Sequence, residues 1–190
     1  MKMITGDKNP RGIPSAKFIE SVEDFLSNNI VSVEVALGAL NELYSKYKYM
    51  ESSFLKSKSV YKSKIPETEQ TLELVKMMQK KRDDNDGDDM FVNYSLCDTV
   101  YSKAKIDTDE GKVCLWIGAS TMVEYSYEEA IALLTEQVAN QHLKVQELDE
   151  DLYHLRGSSI TVEVNMARLF NYSVKIKKAA EAAAAVAAKK

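Results

Sequence analysis

The chain has 190 residues, 28% of them charged, with a formal net charge of −4. It contains no apolar run near the roughly 20 residues that span a bilayer, and its negative balance is wrong for gripping phosphates, so membrane insertion and nucleic-acid binding are both set aside. Seven glycines and three prolines among abundant Lys, Glu and Ser point to extended helices rather than a loop-rich globule, and the mildly acidic, charge-rich composition suits the cytoplasm.

The opening MetLysMetIleThrGlyAsp lacks the apolar stretch of a secretory signal. Within residues 1–31, Pro14 to Leu26 reads as a short helix with Phe18, Ile19, Val22, Phe25 and Leu26 on one face.

Residues 32–81 follow as a first long helix. With a at Val33, the a positions are Val33, Leu40, Tyr47, Phe54, Tyr61, Thr68 and Val75. The d positions are Ala36, Leu43, Met50, Ser57, Lys64, Thr71 and Met78; where they turn polar, Leu37, Tyr44, Ile65 and Leu72 widen the stripe. Pro66 removes one helical hydrogen bond, so a local bend without termination is expected there. The Lys-rich run from Lys56 to Lys64 reads as a solvated face or an intersubunit charge strip.

Residues 82–126 break the helical period. Arg82 to Asp89 is a polar link whose spacing hints at a calcium loop, but aligning Gly87 with the turn glycine places Arg82 at the first ligand and Asn93 where a bidentate Glu belongs, so calcium is rejected. Four strands are expected, at Phe91 to Leu96, Thr99 to Ile106, Val113 to Ala119 and Thr121 to Ser126. Turns at Cys97 and Asp98, Asp107 to Gly111, and Ala119 and Ser120 join them as two hairpins. Isolated hairpins are marginal in water, and ValCysLeuTrpIleGly at 113–118 is apolar on both faces. Cover from another chain is therefore expected, with Phe91, Tyr94, Leu96, Val100, Val113, Leu115, Trp116, Ile117 and Met122 as the assembly residues. Cys97 and Cys114 read as reduced, buried thiols with neither disulfide nor metal spacing.

Residues 127–178 form the second long helix. Its a positions are Ile131, Val138, Val145, Leu152 and Met166, and its d positions Leu134, Leu148, Leu155, Val162 and Leu169, with Gln141 and Ser159 as polar exceptions. Ser126 followed by Glu129 is a capping box at its start. Gly157, Ser158 and Ser159 suggest a flexible point along it. His142 and His154 lack ligand-spaced companions and read as surface residues. The alanine-rich stretch 179–190 is a low-complexity, solvated tail.

Two helices of about fifty residues, roughly 75 Å each at 1.5 Å per residue, joined by a compact insert, favour antiparallel pairing. Pairing Lys81 with Tyr127 sets contacting residue numbers to sum to about 208, with Phe54 near His154. The expected fold class is α+β: a long antiparallel α-helical coiled coil with two central β-hairpins that join an oligomeric β-barrel. Both chain ends then share a tip, where Phe18, Ile19, Val22, Phe25, Leu26, Leu169, Phe170 and Tyr172 either bind other proteins or cap the coiled coil by packing together. No nucleophile, base and stabiliser fall near one another and phosphate-binding glycine loops are absent, so neither an enzyme nor a cofactor is expected.

Several blocks carry a family resemblance: ArgGlyIleProSerAlaLysPheIleGlu at 11–20, TyrLysTyrMetGlu at 47–51, LysIleProGluThrGluGlnThrLeuGlu at 64–73, LysValCysLeuTrpIleGlyAlaSerThrMetValGluTyr at 112–125 and GluValAsnMetAlaArgLeuPheAsnTyr at 163–172. Together they closely resemble eukaryotic prefoldin, and the two hairpins resemble its α-type subunits, since β-type subunits carry one. The resemblance implies a hetero-hexamer of two α-type and four β-type subunits, with a double β-barrel body and six coiled-coil tentacles. It also implies ATP-independent capture of unfolded proteins, notably actin and tubulin, and their transfer to the cytosolic chaperonin. The competing expectation is a structural coiled-coil tether or adaptor without chaperone activity, against which stand motif blocks spread over strands as well as helices.

Overall fold

Apolar residues recurring every three to four positions form two long helices here, because such spacing puts a continuous stripe on one side of each. The computed structural model describes residues 4–84, 90–106 and 110–187, with side chains through Glu181. The described elements are β1 (Thr5–Lys8), β2 (Pro14–Ala16), α1 (Val22–Asn29), α2 (Val33–Asp83), β3 (Met90–Cys97), β4 (Val100–Ile106), β5 (Lys112–Gly118), β6 (Thr121–Ser126) and α3 (Tyr127–Ala187). The chain divides into unit 1, Met1–Ser59 with Gln146–Lys190, and unit 2, Val60–Val145; α2 and α3 pass through both.

In unit 1 the helices run antiparallel. Tyr44 donates to Glu163 and Lys58 pairs with Asp149, each within one residue of the register expected from the sequence. The core joins Ala36, Leu40, Leu43 and Tyr47 of α2 to Leu155, Val162 and Leu169 of α3. Ile4, Ile13 and Ile19 of the N-terminal segment complete it.

That segment corrects the helix expected from Pro14 to Leu26. Pro14–Ala16 is a strand, paired antiparallel with Thr5–Lys8, and the helix begins only at Val22. Ser21 caps α1 by accepting from the Asp24 amide, while the chain before it is held extended by contacts with α3. Helix α1 ends at Ile30, whose left-handed φ of 51° is an uncomfortable conformation for a β-branched residue.

In unit 2 the helices are again antiparallel, with Thr68 meeting Gln141 and Arg82 meeting Glu128, one and two residues from the expected partners. Val75 and Met78 of α2 and Tyr127, Ala130 and Leu134 of α3 form its core. Strand positions match expectation to within a residue or so, as two separate hairpins, β3–β4 and β5–β6. Turn residues Ala119 and Ser120 have φ of 48° and 58°, the double positive φ that keeps a two-residue hairpin in step with strand twist.

The capping box forms as read: the Ser126 amide donates to Glu129 at 3.2 Å and the Glu129 amide donates to the Ser126 hydroxyl at 3.3 Å. Gly111 is needed where it stands. It has φ 65°, and a Cβ there would lie 2.9 Å from the Arg82 guanidinium, which also covers the Tyr127 ring at 5.3 Å.

Helix α2 continues through Pro66, as expected. Other expectations shift: α3 runs past 178 into the alanine stretch as far as Ala187. Cys97 and Cys114 are free but exposed rather than buried, because nothing among the described residues covers them. His142 is exposed, but His154 is half-buried, with a ring nitrogen sealed from solvent and without a partner among the described residues. The rejected calcium loop falls partly at 85–89, outside the described residues, as do 107–109 of the turn between the hairpins.

Candidate functional site

In unit 2, β5–β6 has one face toward the helices and the other exposed, whereas β3–β4 is packed on the core only at its inner end and is exposed beyond it. In β5–β6, Val113 pairs with Tyr125 and Leu115 with Val123. Val113, Leu115 and Tyr125 pack on the unit 2 core. The alternate residues point away, as the period-two pleat requires: Trp116 lies opposite Met122, 67% and 48% exposed, and Ile117 at the strand end is also exposed. In β3–β4, Met90 and Ile106 anchor the inner end, while Phe91, Tyr94, Leu96 and Val100 stay exposed.

The nine assembly residues named from the sequence therefore split. Phe91, Tyr94, Leu96, Val100, Trp116, Ile117 and Met122 form open apolar surface, whereas Val113 and Leu115 are used inside the chain. Tyr101, exposed opposite Ser95, joins the open set. It was missed in the sequence, although aromatic residues in strands are the usual signal. An open cleft of about 930 Å³ lies between β5–β6 and the two helices, lined by Tyr61, Thr68, Leu115, Leu134 and Gln141 among others. The Gln141 side-chain oxygen is buried with no partner among the described residues.

In unit 1 the residues expected at the tip also divide. Ile19 and Leu169 are buried in the core, with Val22, Phe25 and Leu26 packed half-buried against it. Phe18 and Phe170 remain 47% and 60% exposed, and Tyr172 is half-buried. Arg168 stacks 5.0 Å from the Phe18 ring centre.

What positions this end is a set of polar residues absent from the sequence expectations. Asn165 is fully buried. It accepts from the Ile19 amide at 3.0 Å and donates to the Lys17 carbonyl at 2.8 Å. Arg168 donates to the Ile19 carbonyl at 3.1 Å, and Tyr47 to the Pro14 carbonyl at 2.8 Å. Asp151, nearly sealed from solvent, accepts from Asn9 at 2.7 Å and from Arg11 at 2.8 Å. Hydrogen bonds donated to Asp151 and then Glu150 raise the Arg11 guanidinium above its ordinary pKa. Burial pushes the Tyr47 phenol up, against a smaller opposing effect from Ser158. The available signal was indirect: the blocks at 11–20, 47–51 and 163–172, far apart in sequence, are the ones that meet here.

These two surfaces lie on a chain that matches a known family. The prefoldin family model, described as a prefoldin subunit, matches residues 47–172. The chain belongs to the prefoldin family. It is 41% identical over 165 residues to prefoldin subunit 3 of Mus musculus, covering 86% of this chain and 83% of that protein. Prefoldin subunit 3 of Saccharomyces cerevisiae is 38% identical over 174 residues, with 88% and 87% covered, and probable prefoldin subunit 3 of Caenorhabditis elegans is 39% identical over 171 residues, with 90% of each covered. A chain in the cryo-EM structure of filamentous PFD from Methanocaldococcus jannaschii shares the fold, with a TM-score of 0.50 at 16% identity, covering 67% of this chain and 98% of that one. The matched prefoldin span holds strands β3 to β6 and the antiparallel helix seam, while residues 4–19 lie before it. Among the described residues no helix is long and apolar enough to cross a membrane.

Proposed function

We propose that this prefoldin subunit works in a hetero-hexamer of two α-type and four β-type chains, holds unfolded proteins such as actin and tubulin without ATP, and passes them to the cytosolic chaperonin. The observation that carries the assembly step is the exposed apolar surface of the two hairpins. Two-stranded ribbons are marginal alone, and Phe91, Tyr94, Trp116, Ile117 and Met122 are all more than 45% exposed. Among the described residues each hairpin is a two-stranded sheet, so its outer strand edges offer a template for pairing with strands of sister subunits. Burying such aromatic anchors at a new interface contributes about 1.5–3 kcal/mol each before the costs of association.

Client capture needs apolar groups that the coiled coil does not use up. Phe18 and Phe170 meet that requirement, with Phe25 half-buried beside them. The test is a complex reconstituted with the other five subunits, carrying Phe18→Ser, Phe25→Ser and Phe170→Ser in this chain and followed by mass and by retention of denatured actin. Normal mass with weakened retention is expected. Unchanged retention removes the capture role from these residues, and a chain that stays a soluble, well-folded monomer beside its partners removes the assembly role.

A further inference from the structure

In unit 1 the groove between α2 and α3 is filled by the chain's own residues 4–19, and the manner of holding is that of a peptide ligand. Ile4, Ile13 and Ile19 are buried against Leu40, Tyr47, Leu155, Val162 and Leu169. Polar side chains of the groove hold the backbone of this strap at four points: Asn165 holds the Ile19 amide and the Lys17 carbonyl, Tyr47 the Pro14 carbonyl, and Arg168 the Ile19 carbonyl. Contacts to main-chain groups are indifferent to which residue supplies them, and apolar pockets set the preference, as in other sites that hold extended peptides. Side-chain identity is read where Asp151 meets Asn9 and Arg11, where Glu150 meets Arg11, and where Arg168 stacks on the Phe18 ring.

The strap is a weak occupant by its own construction. Its β1–β2 hairpin has strands of four and three residues, too short to persist unaided, and the α1 helix after it buries no residue fully. If the strap left, Asn165 would be a bare amide in an apolar groove, a state that favours refilling by another chain.

We infer that this groove is a binding site for an extended, aliphatic segment of a non-native polypeptide, with residues 4–19 as its resident occupant. The preferred segment carries two aliphatic anchors spaced like Ile13 and Ile19, about 20 Å apart when extended, with a basic residue just ahead of the first. The tethered strap competes at high effective concentration, so the intact chain takes up such segments weakly. This inference rests on the holding role proposed above.

The test uses the reconstituted complex and a fluorescent peptide with the sequence of residues 4–20, read by anisotropy. With this chain begun at Glu20, the peptide should bind with a Kd at least tenfold lower than to the full-length complex. Adding Asn165→Leu to the shortened chain should raise that Kd at least tenfold, and a scrambled peptide should stay unbound. Should the shortened chain not assemble, the full-length chain with Ile13→Ser and Ile19→Ser loosens the strap in place and should take up the peptide instead. Absence of binding in both forms, or equal binding of the scrambled peptide, overturns the inference. Actin retention is measured separately: a complex that retains actin but takes no peptide rejects the groove alone, and one that takes the peptide but retains no actin supports the groove while rejecting the holding role.

Discussion

Replacing Asn165 by alanine removes two of the hydrogen bonds that fasten the strap to α3, the 3.0 Å bond from the Ile19 amide and the 2.8 Å bond to the Lys17 carbonyl, and leaves the Arg168 bond to the Ile19 carbonyl in place. The Ile19 bond is away from water, since Asn165 is 0% and Ile19 5% exposed, while Lys17 is itself exposed. A buried group left without its partner costs about 1–3 kcal/mol, so two give about 3 kcal/mol once part of the strap relaxes toward solvent. At 1.4 kcal/mol per decade, that raises strap opening roughly a hundredfold. Amide hydrogen exchange in the assembled complex reads this directly, because local opening sets the protection of individual N–H groups. The Ile19 and Ile13 amides should lose about two decades of protection while the Leu134 amide in unit 2 keeps its own. Asn165→Asp retains an acceptor for Ile19 but sets a carboxylate against the Lys17 carbonyl, and should still weaken the strap. Unchanged exchange at Ile19 in Asn165→Ala would refute the view that this side chain fastens the strap.

Further outcomes follow from other parts of the chain. Trp116 is the only tryptophan and is 67% exposed, so its emission should shift to shorter wavelength on mixing with the other subunits, and Trp116→Ser should lower the assembled mass while leaving far-ultraviolet circular dichroism intact. Gly157 is helical, exposed and has open space where a Cβ would go, so Gly157→Ala should stabilise α3 by about 1 kcal/mol, seen as slower exchange nearby; no change would mean the glycine costs the helix nothing. Glu129→Ala removes one half of the capping box and should cost about 1 kcal/mol in chemical denaturation, with the loss at the start of α3. Burial raises the Tyr47 phenol, so its contribution is whole below the ordinary tyrosine range near 10 and is lost as pH climbs through the higher folded value. Strap protection should therefore fall in strong alkali, and Tyr47→Phe should blunt that fall.

Much of this architecture can be read from periodicity. Heptads from Val33 and Ile131 mark the helix seam, and the polar exceptions Gln141 and Ser159 prove to be buried within it. Alternation from Phe91 to Ser126 marks the strands, and the expected register agrees with the structure to within two residues because α2 ends where α3 begins, Arg82 beside Glu128. The candidate site was less legible. Alternation alone could not tell which face of β5 the helices would take, so Val113 and Leu115 were grouped with Trp116 although they serve the internal core.

Local chemistry along the chain determined the helices, the hairpins and the cap at Ser126, since each depends on neighbours a few residues away and leaves a repeating pattern of burial. The strap was decided only in three dimensions. Residues 4–19 have no sustained period, their fastening bonds to α3 join positions up to 149 apart, and the deciding contacts run from side chains to main-chain groups that every residue shares. A short apolar stretch such as Lys17 to Leu26 carries the same letters whether it coils or extends. Asn165 and Tyr47, supplied by helices from distant parts of the chain, settle which.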